Sequence, residues 1–108
     1  MEIKLKPKEG DNNLWGYVDE EGKWVIKPKF REAHYFIEGF ASVTLDYLSY
    51  GFIKPDGSWL VKPKFEEVYC FSEGFAKVQL NGKWGYIKSD GKWLVKPRFT
   101  MPARLNMG

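Results

Sequence analysis

The chain repeats itself at an almost constant distance, and that period limits what it can fold into more than any other feature. Trp15-Gly16, Tyr50-Gly51 and Trp84-Gly85 stand 35 and then 34 residues apart. Gly22, Gly57 and Gly91, then Trp24, Trp59 and Trp93, then Pro28, Pro63 and Pro97 keep the same two spacings. A fixed period of this size is the mark of a repeat architecture, in which one unit cannot bury its apolar face alone and must stack on its neighbours.

Within the period the residues read as strands and turns. Ile3-Lys4-Leu5-Lys6 alternates apolar and basic residues, the period-two signature of a half-buried strand, and resembles Val43-Thr44-Leu45 and Val78-Gln79-Leu80. Residues 7 to 13 read as a polar, turn-rich loop, and Leu14 to Val18 as the first Trp-Gly strand. Glu20-Glu21-Gly22 is the hairpin turn into a third strand from Lys23 to Ile26; its counterparts Pro55-Asp56-Gly57 and Ser89-Asp90-Gly91 carry the Asp-Gly pair that favours tight hairpins. Proline has no N–H for a ladder, so Pro28, Pro63 and Pro97 are expected to end each third strand.

The connectors that follow, FREAHYFIEGFA from Phe30 and FEEVYCFSEGFA from Phe65, repeat three phenylalanines each and leave room for a short helical turn around 31–36 or 66–71. Gly39 and Gly74 allow a left-handed turn before the next strand. Asn81-Gly82 predicts a tight hairpin, and the matching loop Asp46 to Ser49 has one residue more, which accounts for the change from 35 to 34. After Phe99 the tail has no pattern and reads as a frayed end.

The expectation is an all-β domain over 1–108: tandem three-stranded antiparallel meanders, units about 1–30, 31–65 and 66–99 with a tail 100–108, stacked into a short array that shares an aromatic core. The glycine inside each middle strand forfeits a side chain, so its recurrence predicts a backbone that something else approaches closely.

Composition agrees with a folded array. Hydrophobic residues make up 44% and charged ones 29%, too balanced for a disordered chain, and the 18% of aromatics fall almost entirely inside the repeat, where rings supply core area. A net charge of +3 with the two signs interleaved permits nucleic-acid binding without indicating it. One cysteine, Cys70, excludes an internal disulfide framework. The first ten residues lack the apolar core of a secretion signal and no apolar run approaches membrane-spanning length, so no membrane association is expected and the cytoplasm is favoured. A piece cut from a longer array would look the same.

GKWGYI at 82–87, the Lys-Pro-x-Phe endings and the Phe-x-Glu-Gly-Phe-Ala segments at 36–41 and 71–76 together resemble the WG-repeat family, also called KWG repeats, a bacterial group of β-rich repeat proteins. The resemblance covers Leu14 to Phe99. It implies a repeat scaffold without shared catalytic residues, and so carries over an architecture and no site. Unit two departs from it with Tyr50 in place of the tryptophan.

Nucleophilic chemistry would need Cys70 activated by His34, which fall one position apart when the connectors are overlaid. They belong to different units and no third orienting group is evident, so the simpler reading is a buried structural cysteine and a solvent-tipped histidine. One His and one Cys give no metal spacing, and no cofactor motif is present. Glu20-Glu21, Glu66-Glu67, Asp56 and Asp90 are explained by turns and solvated faces rather than by an acid/base pair. Lys27, Lys29, Lys62, Lys64, Lys96 and Arg98 recur beside the prolines and would form a basic stripe able to track phosphates, or else blunt sheet edges. His34 and Tyr35 against Tyr69 and Cys70, together with the loop bearing Tyr47, are positions the fold does not dictate, and these are where partner recognition is expected. The expected function is a non-enzymatic protein-binding module, possessing a protein partner and acting as a small inhibitor or adaptor, with a nucleic-acid-binding module as the alternative.

Overall fold

The computed structural model describes residues 4–100. Eleven strands and one short 3-10 helix, Asp11–Asn13, follow in order: β1 Lys6–Glu9, β2 Trp15–Val18, β3 Trp24–Phe30, β4 Glu32–Ala33, β5 Ala41–Thr44, β6 Tyr50–Ile53, β7 Trp59–Phe65, β8 Glu67–Val68, β9 Phe75–Leu80, β10 Lys83–Lys88 and β11 Trp93–Phe99. All pairings are antiparallel, and they make three sheets ordered β1-β2-β3, β4-β5-β6-β7 and β8-β9-β10-β11. The meanders of the sequence reading are present. The second and third carry a short fourth strand drawn from the connector, where a helical turn had room to form. Glu32 pairs with Thr44 and Ala33 with Val43; Glu67 pairs with Gln79 and Val68 with Val78.

The first strand lies further along than the alternation at Ile3–Lys6 suggests. Lys6, the last residue of that alternation, and Pro7-Lys8-Glu9, read as loop, pair with Val18, Tyr17, Gly16 and Trp15. An edge strand tolerates Pro7 because half of its N–H groups face no partner. Leu5 instead packs against the core from beside the strand, while Ile3 lies outside the described residues, as does the tail from 101.

The prolines do not end the third strands; they sit in bulges within them. Tyr17 faces Ile26 while Trp15 faces Phe30, so Gly16 stands opposite the three residues Lys27-Pro28-Lys29. Gly51 meets Lys62–Lys64 and Gly85 meets Lys96–Arg98 in the same way. A bulged residue owes no N–H to the ladder, which is why proline fits there. The bulge also explains the glycine: a Cβ on Gly16, Gly51 or Gly85 would fall 2.7, 2.7 and 2.8 Å from the nitrogen of Pro28, Pro63 and Pro97, and closer still to the carbonyl oxygens of Ile26, Val61 and Val95. Trp-Gly and Lys-Pro are the two halves of one contact.

The sheets stack through two cores. Tyr17, Ile26 and Phe30 of the first sheet pack on Ala41, Val43 and Ile53 of the second. Phe52 and Phe65 of the second pack with Phe71 and with Ala76, Val78 and Ile87 of the third. At each junction a phenylalanine meets the next sheet's tryptophan edge-on, Phe30 with Trp59 at 6.3 Å and Phe65 with Trp93 at 5.9 Å. Such pairs add to the burial itself. Phe71, from the connector, sits 4.8 Å from Phe40 and 5.0 Å from Phe52. Tyr17 is buried, its hydroxyl donating to the His34 carbonyl at 2.6 Å, and burial pushes its phenol pKa up.

Polar clasps join the turns. Glu38-Gly39 and Glu73-Gly74 are two-residue turns with both residues at positive φ, at 56° and 90° and at 55° and 89°. The Glu38 carboxylate accepts from the Glu73 N–H at 2.7 Å and the Gly74 N–H at 2.9 Å, so one sheet's turn grips the next sheet's turn. Glu66 does the same for Asn81-Gly82, at 3.1 and 2.9 Å.

Candidate functional site

Two surfaces carry the residues singled out from the sequence, and they lie on opposite edges of the sheets. β4 and β8 form one edge; β3, β7 and β11 form the other.

On the β4/β8 edge the variable connector residues converge. Glu32, His34, Ser42, Tyr50, Glu67, Val68 and Tyr69 line an open groove of about 340 Å³, and His34 is shared with a second depression lined by Tyr35, Ile37, Phe40 and Cys70. The Tyr50 hydroxyl donates to Glu32 Oε1 at 2.6 Å. That bond to a carboxylate, then partial burial and the negative charge of Glu32 and Glu67, push the Tyr50 pKa up to about 12. His34 Nε2 lies 3.9 Å from the same Glu32 oxygen. The Tyr69 ring packs on Trp84 at 5.7 Å and receives Lys77 Nζ at 4.9 Å from its centroid.

The loop that joins β5 to β6 is braced by its own hydrogen bonds. Thr44, buried, donates its hydroxyl to the Ser49 carbonyl at 2.6 Å and accepts the Tyr47 N–H at 2.9 Å. Asp46 Oδ1 accepts the N–H groups of Leu48 at 2.8 Å and Ser49 at 3.1 Å, which hold its carboxyl below the usual carboxylate range. Tyr47 is fixed at φ 69°. The scaffold thus orders a loop whose Tyr47 is 57% and Leu48 76% exposed. The equivalent turn in the third sheet, Asn81-Gly82, shows no side chain of this kind.

Cys70 is exposed and free, which corrects the expectation of a buried structural cysteine. Beyond β8 both Tyr69 and Cys70 face solvent, and Phe71 takes the inward place. His34 and Cys70 do line one depression, but the thiol has no hydrogen-bond partner among the described residues, and His34 is directed at Glu32. Among the described residues no three His, Cys, Asp or Glu side chains are grouped as a metal ion would require, and no helix is long and apolar enough to cross a membrane.

The six cations occupy the other edge, all exposed, at the bulges of β3, β7 and β11. They alternate in role. Lys29, Lys64 and Arg98 lie over Phe30, Phe65 and Phe99 at 5.5, 5.5 and 5.3 Å, and Lys64 also over Trp93 at 5.8 Å. Lys27 borders a hollow with Trp24 and Pro28. The structure therefore joins His34, Tyr35 and Tyr69 on the β4/β8 edge, leaves Tyr47 in the hairpin between β5 and β6, and separates them from Lys27, Lys29, Lys62, Lys64, Lys96 and Arg98. Sequence reasoning missed Glu32, Glu67 and Tyr50 in the groove. The signal was available in Tyr50: replacing the repeat's tryptophan by tyrosine supplies the hydroxyl that Glu32 holds.

The model of the family described as WG containing repeat matches residues 15–48, 50–84 and 84–101. No curated protein and no solved structure matches the chain.

Proposed function

The chain belongs to the WG containing repeat family, and from that premise we propose that it is a non-enzymatic protein-binding module that recognises its partner with the β4/β8 edge. The observation that carries this reading is the loop at 45–49. A protein rarely orders large apolar side chains in solvent without a use for them, and ordering them in advance lowers the entropy cost of association. Leu48 and Tyr47 are held in place by Thr44 and Asp46, in the loop that leads into Tyr50, and Tyr50 lines the groove together with Tyr69, Glu32 and Glu67. Aromatic anchors with polar neighbours are the composition of binding hot spots. Such a module would act by covering part of a larger protein, as an inhibitor or an adaptor, and we place it in the cytoplasm, where an exposed thiol such as Cys70 stays reduced.

The basic edge supports nucleic-acid binding less well. Phosphate contacts are open to its cations, but Phe30 and Phe65 are buried beneath Lys29 and Lys64, so the exposed rings Trp24 and Phe99 stand on the first and third sheets without a continuous row on which successive bases could stack.

Quantitative affinity capture separates the two readings when wild type is compared with Tyr47→Ala/Leu48→Asp and with Lys62→Glu/Lys64→Glu. The expected result is one protein retained by wild type and by the basic-edge variant through nuclease and high salt, and lost at least tenfold with the loop variant. Capture that vanishes with nuclease or salt and depends on Lys62 and Lys64 would transfer the function to the basic edge.

A further inference from the structure

Three turns of the chain place an aspartate or asparagine directly before a glycine: Asp56-Gly57, Asn81-Gly82 and Asp90-Gly91. In two of them the side chain is tethered, with Asp56 Oδ1 accepting from the Ser58 N–H and Asp90 Oδ1 from the Lys92 N–H, each at 2.9 Å. The glycine N–H is also spent inside the turn, on the Lys54 carbonyl at 2.8 Å and the Lys88 carbonyl at 2.9 Å. Asn81-Gly82 differs on both counts. Asn81 is exposed and its side chain makes no hydrogen bond to another described residue, while the Gly82 N–H leaves the turn to reach Glu66 Oε1 at 2.9 Å. Nothing lies within 4 Å of where a Gly82 side chain would start, so the nitrogen is open from that side. Asparagine stands at 12, 13, 81 and 106, and only Asn81 precedes a glycine.

An asparagine followed by a residue without a side chain can react with its own backbone. The Gly82 nitrogen attacks the Asn81 side-chain carbonyl carbon: the N–Cγ bond forms, the Cγ–Nδ2 bond breaks, and ammonia leaves with the proton that the nitrogen gives up. Water then opens the resulting five-membered imide at either carbonyl, yielding aspartate or, with the chain rerouted through the side chain, isoaspartate. Water is the only co-reactant and nothing is oxidised or reduced. We propose that Asn81 is a site of this self-modification and that the Glu66 carboxylate holds it shut. By accepting the Gly82 N–H the carboxylate keeps the proton on the attacking nitrogen, and its charge opposes an amide anion forming beside it. The Asn81 N–H donates to the other oxygen at 3.1 Å, so Glu66 holds both residues of the turn. Opening is one-way. Either product puts a new negative charge on the residue whose N–H Glu66 holds, and isoaspartate adds a carbon to the backbone between the two amides. Glu66 immediately precedes β8, whose Glu67 and Val68 line the groove, so the tie that is lost is one that steadies the groove wall.

Mass spectrometry of the full chain kept at mildly alkaline pH reads the reaction in the tryptic peptide 78–83, with digestion in heavy-oxygen water marking any conversion during work-up. A hydrogen bond to a charged group corresponds to roughly ten- to a hundredfold in rate, so conversion in the folded protein should be slower by that factor than in the same chain unfolded in urea. Glu66→Ala, checked for an unchanged far-UV spectrum, should recover most of the unfolded rate. Glu66→Gln, which keeps an acceptor oxygen and loses the charge, should fall between. Glu38→Ala, which removes the equivalent clasp from the turn at 73–74, should leave the rate at Asn81 as in wild type. Folded wild type converting at the unfolded rate, or Glu66→Ala converting no faster than wild type, would overturn the proposal. So would Glu38→Ala converting as fast as Glu66→Ala, because general loosening of the array would then set the rate. Should Glu66→Ala lose the folded spectrum, Glu66→Gln against Glu38→Ala decides the matter in the same way.

Discussion

A methyl group at Gly51 has nowhere to go, since the bulge of β7 brings Pro63 N within 2.7 Å of where it would stand and Val61 O closer. The obstacle is backbone, which cannot swing aside as a side chain can. Gly39 is the opposite case: nothing lies within 4 Å, and only its φ of 90° resists substitution. Gly51→Ala should therefore cost about 3 kcal/mol, in the range of overpacked cores, and Gly39→Ala about 1–2 kcal/mol, the cost of a left-handed conformation for an L-residue. Urea denaturation at equilibrium distinguishes them; equal losses would mean that the bulge relaxes and that the Trp-Gly pairing with Lys-Pro is not the constraint described. The sequence made half of this visible. Recurrent glycine in a strand announces a close approach, but the approaching group is named only by the register, because a two-residue bulge leaves no mark on either strand read separately.

Among the elements, the loop 45–49 carries a titration of its own. The amides of Leu48 and Ser49 hold the Asp46 carboxyl below its ordinary value of 3.8, so the folded loop binds that proton less readily than an unfolded one. Its contribution is therefore complete above pH 3.8 and disappears as pH falls through the lower folded value. Amide shifts of Leu48 and Ser49 followed by NMR should move together with a midpoint below 3.8, and Asp46→Ala should abolish the step; a midpoint at or above 3.8 would show that the carboxylate does not hold the loop. Elements differ widely in how legible they were. The Asp-Gly and Asn-Gly turns follow from their residues. β4 and β8 are two residues long and have no periodicity to detect, and β1 was concealed because its outer face is lysine where its counterparts are alanine and valine. For the groove, the connector positions that vary between units pointed to His34, Tyr35 and Tyr69, whereas Glu32 and Glu67 looked like solvated surface until pairing with β5 and β9 set them beside Tyr50.

At the scale of the molecule, stability in a stacked array is the sum of what each sheet holds and what each junction adds. The second sheet has a junction on both sides, with Ala41, Val43 and Ile53 against the first sheet and Phe52 and Phe65 against the third. Hydrogen exchange should then be slowest in β5 and β6 and faster in β1 and β11, with a protection difference of at least tenfold. Uniform protection would indicate a single cooperative body in which the junctions are no weaker than the sheets. The period alone predicted stacking, yet which faces meet could be read only from the structure, because both faces of each meander carry aromatics.

Glu38 sits at odds with its own turn. Its φ of 56° suits asparagine, and the chain uses asparagine at the matching place in the turn at 81–82, where the side chain has no neighbour to hold. A glutamate there accepts local strain in exchange for reach, since only the longer carboxylate spans to Glu73 and Gly74. The residue is thus chosen against the preference of the segment that contains it and in favour of the segment 35 residues on. Optimising each turn separately would loosen the array, because part of the specification of one unit is written in the next.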